Sequence, residues 1–188
     1  MACTCPSQTL AGLCKDCDGS VGGIVEVYIA TYGSISGTPS VNTDSGDTGS
    51  TKGMITGITM VESAKFYKYQ FRKNTGSLTS TLNVTDDGNV YVETELSLVF
   101  SKMETKKRIE MNALSTQDLV AIVKDANGKY WYLGYNEPVN ASGGEGATGT
   151  NRTDSNHYGI ILKDTSNEYP FEVSATVINT LPLAELTN

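Results

Sequence analysis

Leu78-Thr79-Ser80-Thr81-Leu82-Asn83-Val84 and Leu96-Ser97-Leu98-Val99-Phe100-Ser101 decide the fold. In the first run Leu78, Ser80, Leu82 and Val84 alternate with Thr79, Thr81 and Asn83. In the second, Leu96, Leu98 and Phe100 alternate with Ser97, Val99 and Ser101. A period of two puts successive side chains on opposite faces, which is the signature of a strand rather than a helix. Asp86-Asp87-Gly88-Asn89 between the two runs is turn chemistry.

Outward from this pair the same period continues over residues 54–102. Phe66, Lys68, Gln70 and Arg72 alternate with Tyr67, Tyr69 and Phe71, and Asn74-Thr75-Gly76-Ser77 reads as the next turn. These segments predict an antiparallel sheet. Upstream, residues 24–32 crowd β-branched and aromatic residues and predict a strand buried on at least one face. Between them, residues 33–53 are mostly Gly, Ser, Thr, Asp and Asn, which predicts a long loop, an arm toward a neighbour in an assembling protein.

Downstream, residues 103–114 lack Gly and Pro. Thr105 as a cap and Ile109 with Ala113 as an apolar stripe predict one short helix. Leu119-Val120-Ala121-Ile122-Val123 and Tyr130-Trp131-Tyr132-Leu133 flank Asp125-Ala126-Asn127-Gly128, a hairpin with an Asn-Gly turn. Residues 140–155 read as a second Gly-rich loop. Residues 157–162 and 171–178 read as two closing strands joined through Tyr169-Pro170. The expected fold is mainly β: a β-sandwich or curved barrel with one short flanking α-helix and long loops. The expected organisation is a cysteine-bearing extension over residues 1–23, one assembly domain over 24–180 and a tail over 181–188.

Composition narrows the function. The 188 residues are 38% hydrophobic and 19% charged, and the net charge is −7 from 14 basic and 21 acidic residues. Such a surface is polar but weakly charged. It disfavours a sequence-specific DNA binder, which is normally basic. A weakly acidic wall that DNA slides past fits this charge, because phosphates are repelled rather than held. No run approaches the about 20 apolar residues of a membrane helix. The first residues have neither a basic nor an apolar signal region, so synthesis in a reducing cytoplasm is expected.

The sharpest chemical feature is Cys3-x-Cys5 followed by Cys14-x-x-Cys17. Four thiolates this close could wrap a structural zinc; two disulfides or free thiols are the other readings. Lys15 between the last two would lower a thiolate pKa. No cofactor beyond that possible zinc is expected.

Catalytic machinery is not legible. His157 is the sole histidine, beside Asp154 and Ser155, and no nucleophile elbow or His-Glu-x-x-His accompanies it. Glu93, Glu95, Asp86 and Asp87 could pair as hydrolytic carboxylates, but no sugar platform is placed beside them. Gly143-Gly144-Glu145-Gly146 and Gly149 lack the lysine and the helix of a phosphate loop. Asp44, Asp47 and residues 86–89 lack calcium-loop spacing. The expectation is no enzyme and no catalytic residues.

Eight of the 14 basic residues cluster: Lys65, Lys68, Arg72, Lys73, Lys102, Lys106, Lys107 and Arg108. They read as solvated faces or as partners for an acidic surface on a neighbouring subunit. Ten tyrosines, including Tyr67, Tyr69, Tyr91, Tyr130, Tyr132 and Tyr135, serve a core, an interface or a sugar platform.

Lys65-Phe66-Tyr67-Lys68-Tyr69-Gln70-Phe71, Gly76-Ser77-Leu78, Glu95-Leu96-Ser97-Leu98-Val99-Phe100, Asn112-Ala113-Leu114 and the run from Val123 through Asp125, Asn127, Gly128 and Trp131 to Gly134 resemble tail-tube-type proteins of tailed bacteriophages. Gly149-Thr150, Asp154 and Tyr158-Gly159 fit the same pattern. Asp16-Cys17, Gly22-Gly23-Ile24 and Val27-Tyr28-Ile29 are similar to the openings of virion proteins from phages of Bacteroides, including crAss-like podoviruses. The resemblance covers residues 17–180 and carries no catalytic residue.

The resemblance implies a viral tail-tube, neck or connector-ring structural protein. The homo-oligomeric ring, of six or twelve copies by analogy, would surround a DNA channel and touch neighbouring tail or portal-proximal proteins, with no membrane partner. It implies a place in the virion after synthesis in the host bacterial cytoplasm, and a part in DNA ejection. The residues 33–53 and 140–155 would lock successive rings. The alternative reading is a carbohydrate-binding or adhesive β-sandwich module using tyrosines near Trp131.

Overall fold

The structure, a computed structural model, describes residues 19–43, 52–72 and 74–185. These hold eleven strands, two α-helices and one short 3-10 turn (Tyr32–Ser34). The strands are β1 (Ile24–Thr31), β2 (Ser40–Val41), β3 (Ile55–Gly57), β4 (Tyr67–Gln70), β5 (Gly76–Val84), β6 (Val90–Ser101), β7 (Leu119–Asp125), β8 (Tyr130–Leu133), β9 (Asn140–Ala147), β10 (His157–Ser166) and β11 (Phe171–Val173). The helices are α1 (Thr105–Thr116) and α2 (Ala175–Thr180). Neither is long and apolar enough to cross a membrane.

The strands form two sheets, one of seven strands in the order β2-β3-β11-β8-β7-β1-β4 and one of four in the order β5-β6-β10-β9. The fold is thus a mainly-β sandwich and not a closed barrel. A barrel would need the end strands of one sheet to pair with each other, and here β5 and β9 do not.

The larger sheet is buried on both faces. In β7, Leu119, Ala121 and Val123 point to one core while Val120 and Ile122 point to the other. The five consecutive apolar residues of β7 follow from this double burial. The first core lies between the sheets, where Val27, Ile29, Ala121 and Val123 meet Leu96, Leu98, Ile160 and Leu162. The second lies on the far face, where Tyr28, Ile122 and Tyr132 are covered by Phe66 and by Val177, Ile178 and Leu181 from α2 and its end. Each fully buried aliphatic side chain contributes about 1.5–3 kcal/mol.

Two contacts relate the sheets. Ile24, at the start of β1, lies so near the β5 edge that a Cβ on Gly76 would sit 2.6 Å from its Cδ1. At the other end of β1, Thr31 is opposite Leu119, and Leu119 bridges to Val139 just before β9. The strands of the larger sheet therefore run from the β5 edge of the smaller sheet to its β9 edge. A side chain at Gly76 would force the Ile24 side chain to move.

Several sequence expectations change. Residues 33–53 are not wholly a loop, since Ser40–Val41 is β2, paired antiparallel with β3. Residues 140–155 are not wholly a loop, since Asn140–Ala147 is β9, paired antiparallel with β10. Its glycines allow the approach: a Cβ on Gly144 would lie 2.9 Å from the Gly159 carbonyl oxygen. Residues 171–178 are a three-residue strand followed by α2, so there are two helices rather than one. The turn at residues 74–77 does not join neighbours in one sheet, because β4 and β5 belong to different sheets. In α1 the apolar stripe is misplaced: Leu114 is buried at 4% exposure, while Ile109 is 56% exposed. The predicted cap also shifts, with Glu104 at the N-cap and no side-chain cap bond.

The last described residues return to the fold. Phe66 N donates to the Pro182 carbonyl (2.9 Å) and Ala184 N donates to the Phe66 carbonyl (2.9 Å).

Candidate assembly interface

The smaller sheet carries the candidate site. Its inner face packs on the larger sheet and is apolar apart from Thr94 and Asp164; its outer face is exposed, and no described strand pairs with the free side of β5 or of β9, although α1 lies against β9. The register β5–β6–β10 aligns Thr79 with Glu95 and Glu95 with Lys163. The outer face therefore carries Ser77, Thr79, Thr81, Glu93, Glu95 and Lys163, with Glu145 from β9, beside the apolar Val99 and the exposed Ile161. Lys163 Nζ lies 2.8 Å from Glu93 Oε1, and His157 Nε2 lies 3.2 Å from Glu145 Oε1. Glu93 draws the Lys163 ammonium pKa upward through that bond. Three carboxylates against one ammonium leave the wall acidic.

The edges differ from those of ordinary sheets. Exposed edge strands are usually short or guarded by lysine, proline or a bulge, because unpaired N–H and C=O groups recruit other strands. β5 is nine residues long, GSLTSTLNV, with no charge and no proline. β9 is eight residues long, NASGGEGA, with the single charge of Glu145. It does carry one irregularity, where its register with β10 shifts between Ile161 and Leu162.

The hydrogen-bonding direction of β5 follows from its ends. Val99 N donates to the Thr75 carbonyl (3.1 Å) and Thr85 N donates to the Asn89 carbonyl (2.9 Å). In an antiparallel ladder alternate residues bond to the same partner. Odd-numbered residues of β5 thus bond to β6, and Leu78, Ser80 and Leu82 direct their N–H and C=O groups to the open side.

Past the sandwich the β5–β6 hairpin continues alone. Leu82, Val84 and Val90 lie on the inner face but are 48%, 66% and 50% exposed, because the larger sheet no longer covers them. The hairpin tip is closed by the Gly88 N bond to the Thr85 carbonyl (2.9 Å), and Asp86 and Asp87 are exposed on it.

Sequence-selected residues scatter. His157 reaches Glu145, not Asp154; the Asp154 carboxylate accepts from Thr150 N (2.8 Å) and Asn151 N (2.7 Å) and closes its own turn. Those backbone bonds hold its pKa below the usual carboxylate value. Gly143–Gly146 are strand rather than a phosphate loop. Tyr132 is buried, and Tyr69 donates a hydrogen bond to Glu110. Burial first, then that bond, raises the Tyr69 pKa. The Trp131 indole N–H donates to Asp125 Oδ2 (3.0 Å). Lys68 of β4 pairs with Glu26 (2.8 Å) on the larger sheet. Cys3, Cys5, Cys14, Cys17, Asp44, Asp47 and Lys73 lie outside the described residues.

Two residues were not selected from sequence. Asp164 sits on the inner face of β10 at 4% exposure, with Oδ2 accepting from Gly134 N (3.3 Å) and Oδ1 without a partner. Burial raises its pKa, partly opposed by the Gly134 bond. Its signal was available as a polar break in the inward series Ile160, Leu162, Asp164. Thr94 is buried opposite Ser80, with the two hydroxyl oxygens 2.8 Å apart. Compared with family models, characterised proteins and solved structures, the chain has no match in any of the three.

Proposed function

We propose that this chain is a virion structural protein of a tailed bacteriophage, a tail-tube, neck or connector-ring subunit that oligomerises around a DNA channel and performs no catalysis. The observation carrying this reading is the pair of long open edges on one four-stranded sheet. All neighbours in that sheet are antiparallel, so β5 and β9 run in opposite directions. A copy rotated beside the first would lay its β5 antiparallel along β9 and extend the sheet. This contact uses two different surfaces, and a rotation that closes it makes a ring with no open edge left in that sheet.

The outer face supports the channel side of the proposal. A wall of hydroxyls with net negative charge gives phosphates no cation-rich track, so DNA would pass without being held. The resemblance of residues 17–180 to tail-tube-type proteins agrees with this use of the sheet. Six or twelve copies, and tail or portal-proximal neighbours above and below, are part of the same proposal by analogy.

The test is native mass together with negative-stain imaging of purified full-length protein across a concentration series. Rings or tubes are expected. A monomer at every concentration would overturn the assembly reading, and glycan binding by that monomer would replace it with the adhesive one.

A further inference from the structure

One side chain clamps the segment that leads into β1. Val21 N donates to Asn127 Oδ1 (2.9 Å), and Asn127 Nδ2 donates back to the Val21 carbonyl (3.1 Å). The carboxamide thus imitates a paired strand residue. Beside it, Ala126 N donates to the Gly23 carbonyl (3.0 Å). Residues 19–23 are all exposed, so these bonds rather than burial hold the lead-in. A cavity of about 240 Å³ borders it, lined by Val21, Gly22, Ser77, Leu78, Asn127 and Trp131 among others. The lead-in therefore stands beside the sole tryptophan and the start of β5.

Asn127 is also the only asparagine followed by glycine. In such a pair the glycine nitrogen can attack the asparagine Cγ, because no glycine side chain hinders the approach. The new N–Cγ bond closes a cyclic imide while the Cγ–Nδ2 bond breaks, and ammonia leaves with the amide proton. Water then opens the imide to aspartate or to the isomer whose main chain runs through Cγ. The folded turn blocks the attack in two ways. Gly128 N is engaged, donating to the Asp125 carbonyl (3.2 Å), and the carboxamide is held on Val21.

We infer that Asn127 is a modification site gated by residues 19–23: it deamidates when the lead-in lifts off, and the carboxylate formed keeps the lead-in off. An aspartate at 127 has no N–H for the Val21 carbonyl. Its charge would face that oxygen and stand near the Asp125 carboxylate, whose Oδ1 accepts from the 127 backbone N (2.9 Å). Conversion to aspartate leaves the turn itself standing, because Asp125 Oδ1 also accepts from Lys129 N (2.9 Å) and Oδ2 from the Trp131 indole (3.0 Å). The step runs one way and bares Trp131 and the start of β5. It is independent of the ring reading.

Peptide mapping by mass spectrometry of full-length protein aged in mildly alkaline buffer tests it. Val21→Pro removes the N–H that holds Oδ1, at an exposed position. It is expected to deamidate at 127 about tenfold faster than the wild type, the effect of losing roughly one hydrogen bond. Asn127→Asp is expected to speed hydrogen exchange of the Ala126 amide, which the Gly23 carbonyl protects, by about the same factor. Its Trp131 emission should shift to the red while the far-ultraviolet circular dichroism spectrum stays unchanged. Equal deamidation rates in Val21→Pro and the wild type overturn the inference. So does wild-type exchange at Ala126 in Asn127→Asp, and so does a folded wild type that deamidates at 127 as fast as the urea-unfolded chain.

Discussion

The two sheets of this sandwich solve the same problem in opposite ways. The larger sheet is buried on both faces and has blunt edges: β2 has two residues, and β4 has four with Lys68 tied to Glu26. The smaller sheet is buried on one face and has long edges almost free of charge. A protein that needed only to fold could have guarded both. The difference separates a scaffold that holds the chain together from a surface left available for pairing.

The strongest way to break this comparison is a proline on the open side of β5. Ser80→Pro removes an N–H that faces outward and spares the β6 ladder, at the loss of the Ser80–Thr94 contact. Ring formation should be abolished while the monomer keeps its far-ultraviolet circular dichroism spectrum. Intact rings in this variant would remove β5 from the interface.

A smaller effect separates scaffold from surface by stability. Leu162→Ala empties a fully buried position between the sheets and should cost about 2–5 kcal/mol in urea unfolding. Thr81→Ala, exposed on the outer face, should leave the midpoint unchanged. Equal losses would mean that the outer wall is packed against something within the same chain.

The smallest effect concerns Asp164, the buried carboxylate on the inner face of β10. Its folded pKa is raised, so the folded state holds the proton more tightly than the unfolded state. Stability is then greatest below the ordinary carboxylate value and declines as pH rises through the raised folded value. Asp164→Asn should raise stability at neutral pH by about 1 kcal/mol, an advantage that shrinks as pH falls toward 4. Urea midpoints at several pH values check this. A constant difference at all pH values would assign the effect to shape rather than charge.

Much of the fold was legible locally. The β5–β6 hairpin and the Asn127-Gly128 turn follow from period and turn chemistry, both of which act between near neighbours. β9 was not legible. Its residues Ser142, Gly143 and Gly144 have little strand preference, and only pairing with β10 holds them extended. α2 was hidden because Thr176, Val177 and Ile178 are β-branched, and the helix exists to bring Val177 and Ile178 onto the far core. Ile109 misled for the same reason: its spacing is local, but which face of α1 meets the sheet is set by packing.

The sequence by itself determined that this chain makes β-structure, and which turns begin its strands, because alternation and turn residues act over a few bonds. Only the tertiary structure decided which strands share a sheet and which edges stay open. Those properties depend on contacts between residues far apart in the chain, such as β6 with β10 across α1 and the β7–β8 hairpin.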